Sequence, residues 1–237
     1  MMRFREYLRK SFVVSLISVC ILVPTQVFCV SPKTVNYFLK WQLTSEEVNV
    51  LANWNMLILD MEQQVKNPEL LKQFRQKNPD IIILAYITPQ EILKNASSVD
   101  STMRRKLASN INESMYLYDT NGNKLSYWPG TYLLNVTNVS VRNTISDFVA
   151  QDILSSGLWD GVFYDNAWGS LDWAIPGGNV DFDRNGTNDL LGSGNAVWTE
   201  ATKQLYKETR KKIGKETIMV GNGWTDMYAD VLDGMMI

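Results

Sequence analysis

The sequence contains no histidine, and its only cysteines, Cys20 and Cys29, fall within the first 30 residues. Without histidine there is no Ser-His-Asp triad, no Cys-His pair and no histidine-ligated zinc site. Past residue 30 no cysteine remains to form a disulfide framework or to act as a nucleophile. Charge of one sign is scarce too, since 23 Lys and Arg face 25 Asp and Glu for a net charge of −2. A mildly acidic chain with no basic stripe argues against nucleic acid as a partner. No Gly-rich phosphate fingerprint follows the first expected strand, which disfavours a dinucleotide-binding fold. No motif calls for an organic cofactor or a protein partner. Chemistry is left to carboxylates, Lys, Tyr or a hard cation.

What is present is an ordinary globular composition, 45% hydrophobic and 20% charged over 237 residues. That is too apolar for a disordered chain and long enough for one α/β barrel. The first 30 residues have the layout of a secretory signal peptide. Arg3, Arg5, Arg9 and Lys10 form a basic start, Ser11 to Val23 is a short apolar run, and Pro24 breaks it before Val27-Phe28-Cys29. A retained N-terminal anchor is the alternative. With Glu6 this leader carries +3, so its removal takes the net charge from −2 to −5. Residues 31–237 are then expected to form the domain, secreted or at the cell surface.

Strand and helix alternate along that domain. Strands are expected at Val35–Leu39, Met56–Leu59, Ile81–Tyr86, Tyr132–Val136, Gly161–Asp165, Ile218–Asn222 and Gly234–Ile237. Helices are expected from the Thr44-Ser45-Glu46-Glu47 capping box to about Trp54, from Pro68 to Lys77 and near Ser101–Asn110. Two more are expected at Ser140–Ser155 and Asn195–Lys212. Such alternation implies a parallel sheet with right-handed crossovers. The expected architecture is a (β/α)8 TIM barrel cut short at its C-terminal end, with about seven strands present.

In such a barrel the working groups sit at the C-terminal ends of strands. That rule selects Trp41, Asp60, Glu62, Tyr86, Asn135, Asp165, Asn166, Asn222 and Trp224, with Trp168 and Trp173 just past a strand end. Asp165 follows a buried run, Gly161 to Tyr164, and precedes an amide and an indole. This setting suits a sugar-cleft nucleophile or acid/base; a helix cap is the alternative. Asp60 is read as a substrate ligand or as a brace for the barrel top. The tryptophans and Tyr86 offer flat apolar faces to pyranose rings, against the plainer alternative of packing. In the run 181–189, Asp181, Asp183, Asn185, Thr187 and Asp189 alternate around Gly186 as in the first part of a calcium loop. Position twelve is Gly192, not the Glu of an EF-hand, and an Asx turn is the alternative reading.

The stretch Leu158-Trp159-Asp160-Gly161-Val162-Phe163-Tyr164-Asp165-Asn166 resembles the "DGVFxDN" signature of secreted barrel glycosidases. With Leu57-Ile58-Leu59-Asp60, Asn78-Pro79-Asp80 before Leu84-Ala85-Tyr86, and Leu134-Asn135-Val136-Thr137-Asn138, the chain resembles hypothetical glycosyl hydrolase family 15. That family is related to α-galactosidase-like and polygalactosaminidase barrels. The resemblance implies a TIM barrel, Asp165 as one catalytic carboxylate, and a second carboxylate at the end of a later strand. A run like Val231-Leu232-Asp233-Gly234-Met235-Met236-Ile237 is typically followed by Glu in such barrels, and here it is the last of the sequence. The expected function is glycoside hydrolysis of an extracellular or cell-surface polysaccharide by paired carboxylates, the second lying beyond Ile237. A non-catalytic carbohydrate-binding barrel is the alternative.

Overall fold

The computed structural model describes residues 32–172, 175, 178–223 and 226–236. The leader at 1–30, Trp173, Trp224 and Ile237 lie outside the described residues. Among those described, no helix is long and apolar enough to cross a membrane.

Strand β1 (Val35–Phe38) leads to α1 (Ser45–Leu51), which starts on a capping box. The Thr44 side chain accepts the Glu47 N–H, and the Glu47 carboxylate accepts the Thr44 N–H at 2.8 Å. Strand β2 (Met56–Asp60) follows, then α2 (Gln63–Lys66) and α3 (Pro68–Lys77), the latter with Pro at its first turn. Strand β3 is Ile82–Ile87. A long excursion holds β4 (Glu91–Leu93), α4 (Thr102–Ala108) and β5 (Thr131–Leu133). Helix α5 (Val139–Asp147) runs on through a π turn, Phe148–Ile153, and a 3-10 turn that Gly157 ends at φ 68°. Last come β6 (Gly161–Tyr164), the 20-residue α6 (Gly194–Ile213), β7 (Ile218–Asn222) and β8 (Gly234–Met236).

Six strands form one parallel sheet in the order β1-β2-β3-β6-β7-β8, which curls as part of a TIM barrel does. Side chains alternate between its faces with period two. Leu57, Leu59, Ile83, Ala85, Val162, Tyr164 and Met219 belong to the main core with the helices. Ile58, Leu84 and Phe163 form a second, smaller core on the opposite face, with Tyr86, Val220 and Met236 packed against it.

The expected strand Tyr132–Val136 is not a strand of this sheet. Thr131–Leu133 pairs antiparallel with Glu91–Leu93 in a separate ribbon, and β3 pairs directly with β6. The run has the apolar look of a barrel strand because Leu133, Leu134 and Val136 are buried. They are buried beneath the excursion, where Leu134 N–H donates to the Gln90 carbonyl. The described sheet therefore has six strands where seven were expected.

Candidate active site

Two residues beyond each inner-face core residue, the same alternation sets a polar group at the strand's C-terminal end. Ile58 leads to Asp60, Leu84 to Tyr86, Phe163 to Asp165 and Val220 to Asn222. Four of the expected site residues thus share one face and one end of the sheet. Three of them meet. The half-buried Asp165 accepts the Tyr86 hydroxyl on Oδ2 at 2.6 Å and Asn222 Nδ2 on Oδ1 at 2.8 Å. Its Oδ1 also accepts the Asn166 backbone N–H at 2.8 Å. No cation pairs with it among the described residues. The carboxylate is thereby aimed by three neutral donors and by no cation, a setting that suits a nucleophile or base.

The donor from Tyr86 is a durable one. Burial, and then the Asp165 charge, push its phenol far above the ordinary tyrosine range. Tyr37 from β1 packs edge-on to Tyr86 at 5.7 Å and to Phe163 at 5.6 Å, and the same causes push it up to about 12. Sequence reasoning missed Tyr37 as a site residue because it lies inside the first strand, short of the strand end.

Asp60 is engaged elsewhere. Its two oxygens take Arg104 Nη1 at 3.0 Å and Nη2 at 2.6 Å, and Oδ1 also accepts the Glu62 N–H. The Arg104 guanidinium lies 4.5 Å from the centre of the Trp41 ring, and Lys66 Nζ lies 5.6 Å from it. Glu62, fully buried, accepts the Ser101 hydroxyl and the Thr102 and Met103 N–H groups at the start of α4. The end of β2 therefore anchors the excursion by charge. The Asp60 and Arg104 side chains are only 2% and 15% exposed. Arg104→Leu strands a buried carboxylate and is expected to cost about 3 kcal/mol in denaturant unfolding. The double change Arg104→Leu with Asp60→Leu is expected to recover much of that loss. A single variant as stable as wild type would contradict the assignment.

Asn166 is buried, and Trp168 Nε1 donates to its Oδ1 at 3.3 Å. Asn135 is away from this cluster. It donates to the Phe182 carbonyl of the acidic loop at 2.7 Å and accepts from the Thr137 N–H and hydroxyl in its own turn, so both ends of its amide are used. Trp224 lies outside the described residues.

In that loop, ligand oxygens of Asp181, Asp183 and Asp189 lie within 4.8 Å of one another. Oxygens across a calcium ion, at about 2.4 Å each, are separated by just such a span. The carboxylates also hold the loop's own backbone: Asp181 takes the Asn185 and Gly186 N–H groups, and Asp189 takes that of Phe182. Asn185 donates to Asp183 and accepts the Thr187 N–H.

Comparison with known proteins adds an independent finding. The family model described as hypothetical glycosyl hydrolase family 15 matches residues 75–237. No curated protein matches. Among solved structures, a double variant of the GH36 α-galactosidase AgaA from Geobacillus stearothermophilus, in complex with raffinose, superposes with TM-score 0.57. It is 11% identical, and the match covers 86% of this chain and 30% of that one. The α-galactosidase from Lactobacillus brevis gives TM-score 0.53 at 12% identity, over 86% of this chain and 29% of that one. Aspergillus fumigatus Ega3, in complex with galactosamine, gives 0.48 at 14% identity, over 80% and 66%. The chain thus spans less than a third of those galactosidases.

Proposed function

The chain belongs to hypothetical glycosyl hydrolase family 15, and from that premise we propose that it hydrolyses glycosidic bonds of a polysaccharide, with Asp165 as nucleophile or general base. The observation that carries this reading is the Asp165 carboxylate at a strand's C-terminal end, aimed by Tyr86, Asn222 and Asn166 and left without a cation. Glycoside hydrolysis needs a second carboxyl to protonate the leaving oxygen. We assign it to a barrel strand other than the six described, which are read as part of a (β/α)8 barrel. Trp168 and Trp224 are assigned to sugar contact, while the buried Asn166, its amide taken by Glu91 and Trp168, is not. The raffinose bound by the Geobacillus relative supports a carbohydrate ligand. Secretion or surface display is proposed from the basic-then-apolar leader; a protein recovered outside the cell that still begins at Met1 would count against cleavage.

The direct test is release of nitrophenol, a leaving group that departs without help from the acid, from p-nitrophenyl α-D-galactopyranoside and a panel of related glycosides. Turnover of any of them is the expected result. A second reading, a carbohydrate-binding barrel without catalysis, is favoured by one observation: Asp60 and Glu91, the acids around Asp165, are committed to Arg104 and Asn166. Binding without turnover would select it.

We also propose a structural calcium ion held by Asp181, Asp183 and Asp189, with Asn185 and Thr187 as further ligands. The convergence of three carboxylates supports it. At about 100 times the dissociation constant, calcium is expected to add about 2.7 kcal/mol, or roughly 5–10 °C in Tm. EDTA or Asp181→Asn should remove that gain. A Tm indifferent to calcium would refute the site.

A further inference from the structure

Glu91, in the ribbon strand β4, is 4% exposed. Its Oε1 accepts Asn166 Nδ2–H at 2.6 Å, while Oε2 is buried with no hydrogen-bond partner. Burial pushes the Glu91 carboxyl up, the nearby Thr131 hydroxyl pulls it partly back, and the charge of Asp165 raises it again. A half-satisfied acid in such a place is costly. An apolar residue would anchor the ribbon as well. The residue at the other end of its 2.6 Å bond, Asn166, explains the arrangement.

Asn166 has φ 56°, a left-handed backbone that Asn accepts more readily than other residues with a Cβ. In that conformation its N–H turns back onto Asp165 Oδ1, and the next N–H, of Ala167, donates to the Asn222 carbonyl. The same Asn222 supplies the second donor to Oδ1. Glu91 and Trp168 grip the two ends of the Asn166 amide and hold the turn open. A turn held from both sides in this way fixes where the Asn166 N–H points.

We infer that Glu91 is a positioning residue for Asp165, acting through the side chain of Asn166. The inference rests on the reading of Asp165 as the catalytic carboxylate. Glu91 itself touches no reacting atom. Its bond keeps Asn166 left-handed, and the Asn166 N–H keeps one oxygen of Asp165 occupied, so that Oδ2 and its Tyr86 donor face the substrate in one orientation. If the bond is lost, Asn166 is free to relax toward the ordinary right-handed or extended region, and Asp165 gains freedom to turn.

The test compares the full chain with Glu91→Ala and Glu91→Gln by two readouts. The first, independent of turnover, is the Asn166 side-chain amide signal in a proton–nitrogen correlation spectrum. It is expected to be slowly exchanging in wild type and in Glu91→Gln, whose amide oxygen still accepts the bond. In Glu91→Ala it should shift and exchange fast. The second is hydrolysis of p-nitrophenyl α-D-galactopyranoside. Glu91→Ala is expected to lower kcat by about 10²-fold with KM little changed, the scale of a small misplacement of a reacting group. Glu91→Gln should recover most of that loss. An unshifted Asn166 amide in Glu91→Ala, or an unchanged kcat, would overturn the inference. If the wild-type chain turns over no glycoside, the function proposed above fails separately, and the amide signal alone decides whether Glu91 holds the turn.

Discussion

Asp165→Asn is expected to lower kcat on an accepted glycoside by about 10³–10⁴-fold, the contribution of one well-placed carboxylate acting as nucleophile or base. The substitution is nearly isosteric. Its amide oxygen can still accept from the Tyr86 hydroxyl or from the Asn166 N–H, so the fold loses little. Tm should stay within a few degrees of wild type, because a polar change at a half-buried site removes no core volume. The pairing of the two measurements is what makes the result informative. Large loss of turnover with small loss of stability assigns chemistry to Asp165. Unchanged turnover would remove it from the mechanism, and parallel losses would make it a structural brace. If Asp165 is the nucleophile, Asp165→Gly with azide should also yield a glycosyl azide, since the small anion attacks the sugar where the carboxylate would.

Gly161→Ala is expected to have the largest effect on folding. A Cβ at this position would lie 1.9 Å from the Ile218 carbonyl oxygen and 2.6 Å from its carbon, both backbone atoms that have no rotamer to escape into. Gly161 and Ile218 are register partners, so the clash forces β6 and β7 apart where their pairing starts. The tops of the same two strands carry Asp165 and Asn222, whose 2.8 Å bond depends on that register. A loss of about 4 kcal/mol or more, and a fall in Tm of roughly 10 °C, should follow, with turnover lost in step. A Tm within about 2 °C of wild type would show that the strands accommodate the methyl group by a shift not anticipated from their spacing.

How far the sequence spoke can be judged at particular residues. The six strands at Val35, Met56, Ile82, Gly161, Ile218 and Gly234 were legible because each is a short, mostly apolar run, and the parity rule then carried Asp60, Tyr86, Asp165 and Asn222 to one end. The Thr44 capping box and the Pro68 start were legible for local reasons. The run 132–136 was misjudged because burial in a parallel sheet and burial under an inserted ribbon leave the same apolar signature. Arg104 and Glu91 were not found at all. Each acts across a long stretch of chain, on Asp60 and on Asn166, and no local pattern records such a pairing.

The direct pairing of β3 with β6 has a kinetic consequence. Neighbours elsewhere in the sheet are joined by one crossover, but Ile87 and Gly161 are separated by a loop of roughly 70 residues, several times longer than the link between β2 and β3. Loop-closure entropy makes that junction about 1 kcal/mol harder to form from an unstructured chain. The β4–β5 ribbon and α4, already pinned to the end of β2 by Asp60 and Glu62, shorten the effective loop before it closes. The half holding β1 to β3 and the half holding β6 to β8 should accordingly mature as separate units, with their union as the slow step. Asp165 and Tyr86, one from each half, come within reach of each other only when that step is complete.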